Sequence, residues 1–190
     1  MRSELLVQSR DEIQETWIRR IYESYQPQTQ QFLQSRKDAF ANPVGAAVQE
    51  TTGAILDHLV HGGEDQALGD AVQHFIRIRA VQDFTVAQAV GFVFELKRVI
   101  REQLGRDVGN HSDDLFTLDR GIDHVALICF ARFVEAREKL YELQAKSVQR
   151  ETRMLVSRMN RMSDKLLELE GTDGQEEMEM DGNETEGGDI

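Results

Sequence analysis

The side chains of this chain that could ligate a metal or attack a substrate are few: five histidines and one cysteine. His58 and His61 lie three apart, neighbours on one helix face, but a metal site needs further ligands than a pair supplies. No Cys-x-x-Cys, His-Glu-x-x-His or EF-hand spacing occurs. His74, next to Phe75, flanks the apolar face of its helix and is the residue a haem reading would use, on a weak motif. His124 lies opposite the Leu118, Ile122 and Val125 stripe, so it should be exposed. Cys129 falls inside that stripe, where a thiol usually acts as a small hydrophobe. The stretch GFVFELKRVI lacks the glycine spacing and preceding strand of a phosphate loop, and no nucleophile elbow or paired-carboxylate arrangement is present. The expectation is a protein that is not an enzyme, with no metal and no cofactor.

Two cations are harder to place. RIRAVQDFTVAQAVGFVFELK, residues 77–97, is apolar and holds three of the nine phenylalanines, yet carries charges at inward positions. At 100° per residue, Arg79 falls in the centre of a face formed by Leu68, Val72, Phe75, Ile76 and Ile78. Lys97 falls in the middle of the face formed by Val86, Ala89, Val90, Val93, Leu96, Ile100 and Leu104. Arg77 and Arg98 point the other way. An unpaired charge inside costs several kcal/mol, so each cation must snorkel, find a carboxylate or meet a ligand or partner. Asp83, in the connecting turn, is the internal candidate for Arg79. Arg79, Lys97 and His74 are therefore the candidate ligand- or partner-binding residues.

The elements that position these residues read as all-α. Only Pro27 and Pro43 occur, and no segment alternates with a period of two. A first helix spans about Ser3 to Tyr25 with Leu6, Ile13, Trp17 and Ile21 on one stripe, and stops before Gln26-Pro27. A shorter helix follows through QTQQFLQSRKDAF. Asn42-Pro43 reads as an N-cap followed by proline at the first helical position, and His61-Gly62-Gly63 closes that helix. The next runs from about Glu64 to Val81. Thr85 with Gln88 forms a capping box for a helix ending near Gly105. GRDVGNHSDD is a loop, with Ser112 or Asp113 as the cap that follows.

From that cap to about Glu170 the sequence predicts one very long helix, or two nearly continuous ones. Its first part carries a core stripe: Leu115, Leu118, Ile122, Val125, Cys129 and Phe133. Beyond Phe133 the pattern changes. Val134, Tyr141, Val148, Leu155, Met162 and Leu169 recur every seven residues, with Ala145, Thr152, Met159 and Leu166 interleaved. This a/d seam is too narrow for a core helix folding back on the domain and asks for a partner helix. The dimerisation residues expected from it are Tyr141, Val148, Leu155, Met159, Met162, Leu166 and Leu169.

The formal net charge of −12 is unevenly spread. Ten of the 34 acids lie in residues 168–190 without one base, which leaves 24 acids against 22 bases in residues 1–167. The organisation expected is a helical domain over 1–133, a coiled-coil helix over 134–170 and a disordered acidic tail over 171–190. No basic block stands apart from acids, which argues against nucleic acid. No stretch approaches the roughly 20 apolar residues of a membrane span, and one cysteine suits a reducing compartment. A cytoplasmic protein is expected, with no membrane insertion.

FANPVGAAVQETTGAIL and the later IRIRAVQDFTVAQAVGFVFELKRVIREQL resemble the N-terminal sensory domain of RsbR-type proteins, the RsbT co-antagonists of the bacterial stressosome. The likeness covers roughly residues 10–135. It implies a helical input domain, globin-like without haem in the best-known members, dimeric, and signalling through a long helix. In those proteins the helix leads to a STAS output domain; here it leads to the heptad seam and the acidic tail. Stand-alone copies of this kind are also associated with sulfite-reduction genes. The leading expectation is thus a non-enzymatic sensory or regulatory domain that forms a homodimer and relays a signal through its C-terminal helix. An adaptor subunit docking on a redox or signalling assembly is the alternative, and a haem-binding gas sensor a weaker one.

Overall fold

A computed structural model describes residues 4–35, 41–82, 84–104 and 112–181, with side chains described from 6 to 166. Every element among them is helical, in the order α1 (Glu4–Gln8), α2 (Arg10–Glu23), α3 (Pro27–Ser35), α4 (Pro43–His61), α5 (Asp65–Val81), α6 (Val86–Leu104) and α7 (Ser112–Asp181). The fold is all-α, and α7 is one continuous helix of 70 residues. The chain divides into two units, Met1–Leu140 and Tyr141–Ile190.

The helix ends follow local chemistry. Asn42 caps α4: its Oδ1 accepts from the Gly45 amide at 2.8 Å, while its Nδ2 donates to the Leu33 carbonyl at 3.0 Å. That cap is wedged tightly enough that a Cβ on Gly45 would sit 2.7 Å from the Asn42 Cγ. At the other end of α4, Gly62 adopts φ 73°, a left-handed value that only glycine takes without strain, and its amide reaches the His58 carbonyl at 2.8 Å. The capping box forms in both directions, with the Thr85 amide donating to Gln88 Oε1 at 3.0 Å and the Gln88 amide to Thr85 Oγ1 at 3.3 Å.

The expected single first helix is instead two. Ser9 interrupts it with φ −112° and ψ 19°, in keeping with serine's preference for helix ends over interiors. The stripe across the break is retained: Leu6, Ile13, Trp17 and Ile21 are all buried.

In the first unit α4 packs on α5, and α2 packs on both α4 and α6. The amphipathic stripes meet there, burying Trp17, Phe75 and Phe92 together. Trp17 stacks on Phe92 with centroids 5.9 Å apart, Phe75 meets Phe92 edge-on at 5.2 Å, and the Trp17 indole donates to the Phe92 carbonyl at 2.7 Å. The first part of α7 closes the core with Leu115, Leu118, Ile122, Val125, Cys129 and Phe133. Packing is close: a Cβ on Gly121 would come within 2.9 Å of Leu59 Cδ2. The second unit is the remainder of α7, where every described side chain is exposed.

Candidate functional site

Arg79 is the most unusual residue of the first unit. It lies in the last turn of α5 and is 0% exposed, the one charged side chain buried among the described residues. Its fork reaches backward and forward in the chain. Nη1 donates to the Gln88 carbonyl at 2.7 Å and more weakly to that of Ala89 at 3.5 Å, both in the first turns of α6. Nη2 donates to Ser24 Oγ at 3.1 Å, just past the end of α2. Four aromatic rings enclose the guanidinium: Phe75, Phe84, Phe92 and Tyr25, with centroids 4.6, 5.0, 5.2 and 5.5 Å from Cζ.

No carboxylate pairs with Arg79 among the described residues, and the expected partner Asp83 lies outside them. Burial therefore pushes the guanidinium pKa down, opposed in part by the nearby Tyr25 hydroxyl. The charge is held instead by carbonyl dipoles, the negative end of α5 and ring quadrupoles. Nε and the Tyr25 hydroxyl make no hydrogen bond of normal geometry. This arrangement does one thing well: it ties three helix ends, from α2, α5 and α6, to one planar group.

Lys97 has a different environment. Its side chain is half-buried, its Nζ pairs with Asp123 of α7 at 2.6 Å, and it lies 5.7 Å from the Phe94 ring centroid. One turn on, Arg101 and Asp119 make a parallel bridge at 2.5 Å. These two pairs fasten α6 to α7. His74 is exposed on α5.

The remaining histidines gather elsewhere. His58 and His124 line a cavity of about 200 Å³ with Asp114 and Gly121, and His124 bonds Asp65 Oδ2 at 2.8 Å. His61 instead turns back to the Asp57 carbonyl at 3.1 Å. Among the described residues no three histidine, cysteine, aspartate or glutamate side chains converge on a point that could hold a metal ion. A larger groove of about 640 Å³ runs between α2 and α4, lined by Glu15, Arg19, Tyr22 and Gln49 among others. Cys129 is buried, and burial pushes its thiol up to about 12. It is therefore a protonated hydrophobe at neutral pH.

In the second unit the seam residues Tyr141, Val148, Leu155, Met159, Met162 and Leu166 are 55–69% exposed. Leu169 lies beyond the described side chains. The tail expected from Gly171 onward is described as helix to Asp181, and residues 182–190 lie outside the description. No described helix is long and apolar enough to cross a membrane.

The spacing rule located Arg79, but two things stayed out of its reach. The aromatic cage is built from residues up to 67 positions apart, from Tyr25 to Phe92, and Phe92 was absent from the expected buried face. The one available signal was the unusual density of phenylalanine around an inward arginine.

Residues 11–148 match the sequence model of a family described as the RsbT co-antagonist protein rsbRD N-terminal domain. No curated protein and no solved structure matches the chain.

Proposed function

The chain belongs to the RsbT co-antagonist protein rsbRD N-terminal domain family, and from that premise we propose that it is a non-enzymatic regulatory input module of the stressosome type. In this reading it is cytoplasmic, pairs with a second copy through the seam of α7 and relays its signal along that helix. The observation that carries it is the seam itself. Six residues at strict heptad positions, Tyr141 to Leu166, stand in water, although fully burying a Leu- or Met-sized side chain stabilises by about 1.5–3 kcal/mol. A second helix carrying the same pattern covers them by knobs-into-holes packing.

Light scattering on the full chain tests this. Leu155→Glu combined with Met162→Glu puts a charge in two seam layers and should convert a dimer to a monomer, with the helical signal of the first unit retained. Equal masses for wild type and the double variant would refute pairing through α7.

One observation favours a second reading, an adaptor that docks on a larger redox or signalling assembly. Phe116, Leu127 and Phe130 share a face of α7 with Asp123 and are 45–66% exposed, as is Phe94 of α6 at 48%. Affinity purification of the tagged full chain from native cells separates the two by what is captured.

A further inference from the structure

Three of the chain's six methionines, Met154, Met159 and Met162, lie close together in the second unit. All three side chains stand in water, 58%, 69% and 59% exposed. Helical phase separates them. Met159 and Met162 occupy adjacent a and d layers of the seam, whereas Met154 lies about 120° round the helix from the seam's centre. The chain thus presents two thioethers inside the pairing face and one of similar exposure outside it.

Where the pair sits in the seam decides how much it matters. Nearer the start of the second unit the a positions are Ala145 and Thr152, and Thr152 turns its hydroxyl back to the Val148 carbonyl at 2.9 Å. Such side chains fill a layer poorly. Large, unbranched or γ-branched side chains hold consecutive a and d positions at Leu155, Met159, Met162 and Leu166, which are 59–69% exposed. Covering their apolar surface is what would drive association there, and the methionines are the inner two of the four. Leucine suits a d layer. Methionine fills the same space but carries a sulfur that an oxidant converts to a polar, chiral sulfoxide.

We propose that Met159 and Met162 are a pair of oxidation sites that set the strength of pairing through α7, with hydrogen peroxide as the oxidant; this rests on the pairing reading given above. The thioether sulfur gives a lone pair to one peroxide oxygen. An S–O bond forms, the O–O bond breaks and the second oxygen leaves as water, so sulfur loses two electrons and peroxide gains them. The new S–O dipole finds no donor against an apolar partner helix, and burying it there is unfavourable. A dimer oxidised at both sites on both chains carries four such groups in neighbouring layers. Oxidation and pairing therefore oppose each other: the sulfoxides weaken the dimer, and the dimer hides the sulfurs from peroxide. Enzymatic reduction of the sulfoxides restores the thioethers and the pairing.

Peptide mass spectrometry and light scattering on the full chain test this, with Met154 as the internal control. Relative to Met154 in the same sample, oxidation of Met159 and Met162 should slow about fivefold or more as protein concentration passes from well below to well above the dimer Kd. Complete oxidation should raise that Kd about 100-fold, and treatment with both methionine sulfoxide reductases should return it. An M159L/M162L variant, oxidised only at the remaining methionines, should show the same Kd before and after peroxide. A wild-type chain that is monomeric throughout overturns the pairing reading and this proposal together. A dimer whose Kd is unmoved by oxidation of both sites overturns this proposal alone, as does an M159L/M162L dimer that peroxide weakens as much as wild type. So does a chain that dimerises while all three methionines oxidise at one rate at every concentration.

Discussion

Replacing Arg79 by methionine and by lysine separates two explanations of a buried cation. If the guanidinium is a tie between helix ends, shape and hydrogen bonds matter and the charge is a cost. If it answers a negative group, the charge is what matters. The structure allows the terms to be set against each other. Two good hydrogen bonds from a charged donor, to Gln88 O at 2.7 Å and Ser24 Oγ at 3.1 Å, are worth about 1.5–3 kcal/mol each. Methionine loses them, but leaves no acceptor orphaned. The two carbonyls lie in the interior of α6, and Ser24 Oγ still donates to the Ile21 carbonyl at 2.6 Å. The thioether keeps its contact with the four rings. Against the loss stands relief from an unpaired buried charge, worth several kcal/mol, with the sign shown by the lowered pKa of Arg79. The net expectation for Arg79→Met is a loss of about 1–2 kcal/mol. Arg79→Lys keeps the charge and lacks the fork, so it should lose more, on the order of 3–5 kcal/mol. Arg79→Ala adds a cavity to the loss, which costs about 2–5 kcal/mol for a long side chain. Urea melts at a common m-value measure all three. Arg79→Lys more stable than Arg79→Met would refute the reasoning and mean that a negative partner faces this residue.

Two further outcomes follow from the same packing. Asn42→Ala removes the α4 cap and leaves the Leu33 carbonyl without that donor, so it should destabilise by about 2–3 kcal/mol; a loss under 0.5 kcal/mol in a denaturant melt would mean that the buried cap contributes little. Cys129 should resist a thiol reagent at pH 8 until the chain unfolds, because its thiol is buried and shifted from an ordinary 9.0 to about 12. The raised folded pKa also fixes a sign: the stabilisation is complete below pH 9 and is lost progressively as pH rises towards 12, where both states are ionised. A Cys129→Ala variant should lack that component, and equal alkaline stability profiles for the two proteins would contradict it.

Where sequence sufficed, the determining contacts were local. The Asn42-Pro43 start, the Gly62 stop and the Thr85–Gln88 box are each closed within four residues, so residue type and spacing define them. The core stripe of α7 was legible for the same reason, since one helical face recurs at a fixed period. The buried face of α6 was less so. Val86, expected inside, is 41% exposed, while Phe92 and Val99 are buried. Because α6 is tied to α7 by Lys97 and Arg101 as well as packing on α2, its covered arc is set by where its neighbours lie rather than by its own periodicity. The Ser9 break was invisible too, since Leu6 and Ile13 keep their phase across it.

Arg79 and Lys97 show why helical phase fixes direction and leaves depth open. Both sit mid-stripe, yet one is fully buried and the other reaches solvent. The difference lies in what each helix faces at that point. Arg79 enters the junction where α2 ends and α6 begins, and three helix ends supply Ser24 and the Gln88 and Ala89 carbonyls as uncharged acceptors. The negative end of α5 and the aromatic rings favour a cation there, and the two α6 carbonyls accept from the guanidinium in addition to their own helix bonds, so the charge is held without a carboxylate. Lys97 lies against the side of α7 rather than at a junction of helix ends, and its charge is met by a side chain, the half-exposed Asp123. An exposed pair of that kind is worth about 0–1 kcal/mol, so Lys97 fastens α6 to α7 weakly whereas Arg79 cannot be moved without disturbing three helices. Of the two, Lys97 is the cation a binding partner could engage without unfolding the domain.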